Sequence, residues 1–350
     1  MNIYIRDVNL RFVGIIDSYS SIIWANRYFD TGDFELCVPA APSSLNLLRP
    51  DYYLCREDDN AMMIVEKHEL EVDNENGDYF IITGRDLKSI LDRRIVWQQT
   101  ILSGTVEDCI RRLVTENCIS PSVPTRKINH LVLGKHNGFS ETINIQITGD
   151  NLLEVLKEIC KTYEYGFDIV FDGKNFVFEL YKGVDRSDEQ LDNSRVTFSH
   201  DFDNIRTSKY SFNKQKYKNV ALVAGEGEGL VRKTHVTYLE NEPSDLSRRE
   251  LYVDARDISS NEGSISPSDY NNLLAQKGKD ALSENTIIHE FDGEVDPTQT
   301  YLYKRDYFLG DVVNVINEYG ISTTPRILEI IENEDENGYN VLPTFSKWEV

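Results

Sequence analysis

Apolar and polar positions change rhythm twice along the chain. Up to residue 84 the rhythm is that of strands. Met62-Met63-Ile64-Val65 is a continuous apolar run that passes into alternation through Leu70 and Val72, the two-residue period of a pleated strand. Asp73-Asn74-Glu75-Asn76-Gly77-Asp78 follows. Such residues tolerate positive φ, so they predict a turn, with Tyr79–Gly84 as the returning strand. Pro39 and Pro42 end the strand Phe34–Val38, and a short helix is expected near Asn46.

Between 85 and 195 the period lengthens. Arg85–Arg94 reads as helical, with Leu87, Ile90 and Leu91 on one side. Thr105-Val106-Glu107-Asp108 resembles a capping box, in which a hydroxyl and a carboxylate satisfy the free N–H groups of a helix start. Val106, Cys109, Ile110, Leu113 and Val114 then form one apolar helix face. A second helix is expected from near Asp150, with Leu152, Leu153, Val155, Leu156, Ile159, Cys160 and Tyr163 inward and Gly166 as its stop. Phe167–Phe171 and Asn175–Tyr181, joined through Asp172-Gly173-Lys174, read as a hairpin.

From 196 the strand rhythm returns, in Val220–Gly225 and Val231–Leu239. One helix interrupts it. Ser266-Pro267-Ser268-Asp269 places a cap, a helix-compatible Pro and an acid in order, and Tyr270, Leu273, Leu274, Ala281 and Leu282 share a face. The remaining strands are expected at Ile287–Phe291, Tyr301–Tyr303, Val312–Ile316, Arg326–Ile331 and Tyr339–Leu342, with Asn333–Gly338 as a polar hairpin tip. The expected fold class is mainly β with an α+β insert: a first β block over 1–84, an insert with two helices and a hairpin over 85–195, and a second β block with one helix over 196–350.

Composition sharpens this picture. At 350 residues and 40% hydrophobic, the chain has material for real cores and does not read as disordered. Its 19 Tyr and 15 Phe suit pleated surfaces. With 37 basic against 59 acidic residues the net charge is −22. That opposes phosphate binding, which needs a basic stripe. It serves solubility, or a lumen past which polyanions slide. Met1–Asp7 lacks the basic start and apolar run of a leader, and no stretch nears the ~18 apolar residues of a membrane span. Cys37, Cys55, Cys109, Cys118 and Cys160 are odd in number with no Cys-x-x-Cys spacing, so free thiols and a reducing cytoplasm are expected.

Patterns that carry chemistry are near misses. His68-Glu69-Leu70-Glu71-Val72 and His289-Glu290-Phe291-Asp292-Gly293 lack the second histidine of a zinc site. Gly225-Glu226-Gly227-Glu228-Gly229 has the wrong spacing for a phosphate loop and reads as a turn. Asn333-x-Asp335-x-Asn337-Gly338 starts like a calcium loop but has Thr344 at the twelfth position. The acidic pairs Asp201/Asp203 and Asp254/Asp257 are weak metal candidates, and His130 and His136 read as exposed loop residues. There is no Gly-x-Ser-x-Gly elbow. No catalytic, cofactor-binding or metal-binding residue is assigned, and no cofactor is expected.

Four stretches resemble one family. They are Asp17–Tyr28 with Gly32-Asp33-Phe34-Glu35-Leu36; Thr83-Gly84-Arg85-Asp86-Leu87 with Leu91 and Arg94; Val223–Gly229 with Arg249–Asp257; and Asp306-Tyr307-Phe308-Leu309-Gly310-Asp311-Val312-Val313. Their order is similar to that of ReqiPepy-type siphovirus tail proteins, which are tail-tip and hub-like. The resemblance implies two related β-barrel or β-sandwich domains around an α+β insert. It implies a non-enzymatic virion subunit, usually a trimeric ring, that joins the tail tube to the host-recognition apparatus. Implied partners are the distal tail, tape measure and tail fibre proteins, with DNA passing the lumen without specific binding and no membrane insertion. Arg256, between Asp254 and Asp257, is expected to organise ion pairs. Many tail-tip proteins carry a C-terminal peptidase, lysozyme-like or receptor-binding module; with the sequence reaching Val350 just after Leu342-Pro343-Thr344-Phe345, no such module is expected. The alternative expectation is a carbohydrate-binding or cell-wall hydrolase component whose aromatic residues stack on sugars.

Overall fold

The alternating run that begins at Met62 forms the longest strand, Met62–Asp73, paired antiparallel with Gly77–Asp86. The structure is a computed structural model describing residues 2–57, 59, 61–73, 77–260, 264–295 and 300–346. These two strands lie inside a nine-stranded sheet. On one side follow Tyr53–Arg56, Ile3–Arg6 and Phe12–Ile16; on the other Asp33–Pro39 and Ser21–Arg27. All these pairs are antiparallel. Alternation sends Ile3, Ile5, Ile22, Trp24, Phe34, Leu36, Phe80 and Ile82 into one core. The short helix at Pro42–Leu47 lies where it was expected.

The last two strands of that sheet come from the other end of the chain. Ile327–Asp335 pairs antiparallel with Ser21–Arg27, placing Ile331 opposite Ala25, and Gly338–Phe345 pairs with Ile327–Asp335. The hairpin had been placed with the second β block. Its buried side chains do belong there: Ile327, Ile330, Val341 and Phe345 pack with Val196, Phe198, Tyr307, Val313 and Val315. Its free edge, however, completes the first block. Periodicity reports which face of a strand is buried but not which edge it joins. The tip is a two-residue turn, with Asp335 opposite Gly338 and Gly338 at φ 115°.

The insert builds as its periods dictate. Leu87–Arg93 is a 3-10 helix with Leu87, Ile90 and Leu91 buried. Thr105 caps Val106–Val114 by accepting from the Asp108 N–H, and its hydroxyl donates to the Asp108 carboxylate at 2.6 Å. The second helix runs Leu152–Thr162, capped by Asn151. Its stop is not Gly166. Glu164 takes the left-handed turn at φ 55°, and Gly166 opens the next strand. A Cβ on Gly166 would come within 2.3 Å of the Tyr28 ring, so that glycine serves close approach rather than capping. The hairpin Gly166–Phe171 and Phe176–Tyr181 forms as expected, with Leu131–Leu133 added in parallel. A further pair, Thr100–Thr105 with Thr142–Ile147, was not anticipated.

In the second block, Ile205–Asn213 and Ile288–Val295 make a two-stranded ribbon. Between them in sequence sits a small module. Its sheet has the order Thr234–Tyr238, Val220–Ala224, Glu250–Asp254, and the helix Pro267–Ser283 packs on one face through Tyr270, Leu273, Leu274 and Leu282. Ser266 caps that helix by accepting from Asp269. Tyr301–Tyr303 does not form a strand. Lys304 turns the chain at φ 64°, and the Tyr301 and Tyr307 rings meet Phe198 edge-on instead. Val312–Ile316 keeps strand pairing at Asn314–Ile316, parallel to Thr197–Ser199. All five cysteines are free, with Cys109, Cys118 and Cys160 buried.

Candidate functional site

Three of the four stretches that carry the resemblance meet in space, while Val223–Gly229 with Arg249–Asp257 belongs to the small module. Asp33 lies opposite Arg85 and Phe34 opposite Gly84 in adjacent strands. The Asp86 carboxylate then accepts from the Gly32 N–H at 2.7 Å and the Lys88 N–H at 3.0 Å. Lys88 is buried too. Its ammonium lies 3.2 Å from Asp86 and donates to the Arg27 carbonyl at 2.7 Å. Burial pushes the Asp86 carboxyl up to about 6, against the pull of Lys88. With Asp86 and Lys88 both buried, the knot ties the Gly32 turn and the end of strand Ser21–Arg27 to the start of the 3-10 helix.

Beside it lies a junction of all three blocks. Tyr28, buried at the end of strand Ser21–Arg27, donates from its hydroxyl to the Glu164 carbonyl at 3.0 Å and accepts from the Gly183 N–H at 3.2 Å. Gly310, at φ 92°, lies so close that a Cβ there would meet the Tyr28 ring at 2.3 Å. Arg326 covers the ring and donates to the Gly310 carbonyl at 2.7 Å. The neighbouring Asp311 pairs with Arg186 at 2.6 Å and accepts from the Val184 N–H at 2.7 Å. The Asp-Tyr-x-x-Gly-Asp stretch is thus the clamp that holds Gly183–Arg186, the segment leaving the insert's last strand.

A second buried clip fastens the C-terminal hairpin. Arg56 and Glu332 meet at 2.8 Å with both side chains out of solvent, Tyr339 donates to Glu332 at 2.6 Å, and Arg56 stacks over Trp24. Burial pushes the Glu332 carboxyl up, but the hydrogen bonds and charges of Arg56, with Lys304 beyond, outweigh it and hold the group below its usual range.

The sequence-flagged residues fall apart. His68 stacks on Phe80 within a strand. His289 lies in the Ile288–Val295 strand. Glu226 is tied to Lys233 at 2.6 Å and to Ser260, making its glycine-rich stretch a pinned turn. Asp203 turns the chain at φ 53°, and Asp201 lies in the preceding 3-10 turn. Among the described residues Arg256 pairs with Asp254, while Asp257 faces Lys277 at 3.7 Å. His130 and His136 are exposed, and His136 bonds Asp108 at 3.0 Å. Among the described residues, no three His, Cys, Asp or Glu side chains gather as metal ligands. No described helix is long and apolar enough to cross a membrane.

One cleft was not legible in sequence. About 540 Å³ in volume, it lies between the insert helix Leu152–Thr162 and the module helix Pro267–Ser283. Ile143, Ile145, Ile159 and Leu273 line it, with Glu158, Asp280 and Glu284 at its rim. Burial raises the Glu158 and Asp280 carboxyls above their ordinary values. Phe29 and Tyr163 are the aromatics in its lining. The largest rings, Trp24, Tyr28, Tyr165, Tyr270 and Tyr307, are instead buried in cores.

Comparison with known proteins gives a consistent answer. The fold is similar to that of a tail protein from Neisseria meningitidis MC58, at 15% identity and TM-score 0.57, covering 98% of this chain and 96% of that one. The 43 kDa tail protein of prophage MuSo2 from Shewanella oneidensis aligns at 13% identity and TM-score 0.59, covering 99% and 98%. Prophage tail protein gp18 from Listeria monocytogenes EGD-e aligns at 13% identity and TM-score 0.53, covering 99% and 95%. No curated protein matches. Residues 2–346 match the family described as Siphovirus ReqiPepy6 Gp37-like protein, and the chain, mainly β, belongs to that tail-protein family.

Proposed function

We propose that the protein is a structural hub subunit of the virion tail tip, made in the host cytoplasm, which repeats around a closed axis and joins the tail tube to the host-recognition apparatus. The three expected blocks, 1–84, 85–195 and 196–350, are its units, with the C-terminal hairpin shared between the outer two. Neighbours in this reading are further copies, with a trimer expected, and the distal tail, tape measure and fibre proteins. The subunit has no catalytic residue, and its acidic surface lets DNA pass without adhesion, since Lys and Arg contacts are what hold phosphates.

The observation that supports this reading is two strand edges that find no neighbour among the described residues, one along Met62–Asp73 beyond Val65 and one on the ribbon of Ile205–Asn213 with Ile288–Val295. The outer part of Met62–Asp73 is exposed on both faces, with Val72 70% exposed. Ile205–Asn213 with Ile288–Val295 is two-stranded, and Phe212 is 56% exposed. Open strand edges pair readily with other chains. A closed ring supplies those neighbours.

The envelope-hydrolase reading has one favourable observation, the Glu158–Asp280 cleft, but its lining holds few aromatics for a sugar to stack on. Light scattering over a concentration series decides the first point. A mass that is a small multiple of 40.3 kDa and survives dilution is expected; a strict monomer overturns the self-closing ring. Turnover of peptidoglycan by the pure protein would overturn the non-enzymatic reading.

A further inference from the structure

The charge of this chain is unevenly placed. Residues 214–260 carry eight Lys or Arg against eight Asp or Glu, so the whole −22 lies elsewhere. Within that neutral stretch the cations gather at one place, where the Ile205–Asn213 ribbon enters the small module. Lys214, Lys216 and Lys218 follow one another at every second residue, and Arg249 joins them from the loop before strand Glu250–Asp254. Arg249 donates to the Lys214 carbonyl at 3.0 Å, and both side chains cover the ring of Tyr217. Among the described residues none of the four cations forms an ion pair, whereas Arg232, Lys233, Arg248 and Arg256 of the same module are each matched to a carboxylate. Lys214 and Arg249 also flank a shallow open groove of about 660 Å³ with apolar walls, Phe212 and Ile288.

We propose that this basic, aromatic-walled groove is a docking surface for the acidic surface of a second copy of this chain. Identical subunits of charge −22 repel, and closing them into a ring requires a place where that repulsion is reversed. The patch meets the requirement: four cations without carboxylate partners beside exposed apolar surface, on a chain whose remaining surface is acidic. It also continues directly from the unfinished ribbon. A phosphate backbone fits worse, because the chain as a whole carries −22 and repels it. The inference rests on the ring reading and names the surface through which the ring closes.

The test uses the full chain and the double variant Lys214→Glu/Lys216→Glu, whose two side chains are exposed and stabilise no core. Mass is read by light scattering from roughly 0.05 M to roughly 1 M salt, a range over which screening shortens from beyond 10 Å to about 3 Å. The wild-type oligomer is expected to dissociate as salt rises. The variant is expected to self-associate on the order of tenfold or more weakly at low salt, with an unchanged melting midpoint. Arg249→Gln is expected to weaken association in the same direction. A variant that assembles like wild type overturns the docking surface and leaves the ring standing; a wild type that is monomeric at low salt overturns both. Wild-type binding of a fluorescent DNA duplex at low salt that the variant loses, with equal masses for the two proteins, assigns the patch to nucleic acid and overturns the proposal.

Discussion

The insert and the 214–287 module share a plan, a helix laid on a small sheet, yet they differ in how many sides are covered. Among the described residues the insert's core holds 28 buried side chains, drawn from both helices, the hairpin and the adjoining Met62 and Ile64. The module's core holds nine. Its helix covers Ala221, Val223 and Val253, while the opposite face stays open. There Val236, Leu222 and Tyr252 stand in register across the three strands, 40%, 41% and 58% exposed. Strand alternation is the same in both regions, so alternation does not determine whether both faces are covered. A region buried on all sides carries stability; one with an open apolar face is suited to contact.

Substitutions sharpen the contrast. Phe178→Ala, deep in the insert, is expected to lower unfolding free energy by about 3–5 kcal/mol in urea titration, since a buried ring leaves a cavity. A loss below about 1 kcal/mol would show that the insert is not the stabilising centre. In the module, Glu226→Gln removes the charge that Lys233 and Ser260 pin, and a loss of about 1 kcal/mol is expected at neutral pH. Its pH dependence follows from sign. The hydrogen bond from Lys233, then those from Ser260, hold the Glu226 carboxyl at about 2 against an ordinary 4.5. That stabilisation is complete above 4.5 and is lost as pH falls towards 2. The difference between variant and wild type should therefore close in that window, and a gap that persists below it refutes the assignment. Smallest of all, Leu222→Asn on the open face is expected to leave the melting transition within about 0.5 kcal/mol of wild type. A larger loss would mean that the face is covered within a single chain.

Much of this architecture was legible in the sequence because it is local. The caps at Thr105 and Ser266, the Gly166–Tyr181 hairpin and the Asn333–Gly338 tip each depend on residues within a few positions of one another. What was not legible is long-range. Nothing near Ile330 announces that it will lie opposite Asn26. Gly166 looked like a helix stop because glycine favours left-handed turns, yet Glu164 takes the turn and Gly166 makes room for the Tyr28 ring. Tyr301–Tyr303 had strand-like composition, but its aromatic side chains gain more by meeting Phe198 and Tyr307 than by pairing. The acidic cleft and the junction at Tyr28 are assembled from all three blocks, and no window of sequence contains them.

The lacing of the C-terminal hairpin onto strand Ser21–Arg27 also dictates an order of events at the ribosome. Strand Ser21–Arg27 has its outer neighbour only after Ile327–Asp335 has been translated, some 300 residues later. Until then one edge of the N-terminal sheet stands open, and Glu332, which pairs with buried Arg56, has not yet been made. Loop closure over that separation is slow, and open edges in waiting chains invite aggregation. The N-terminal sheet is therefore completed only once residues 327–345 have been made, and docking of that hairpin is the step expected to be slow.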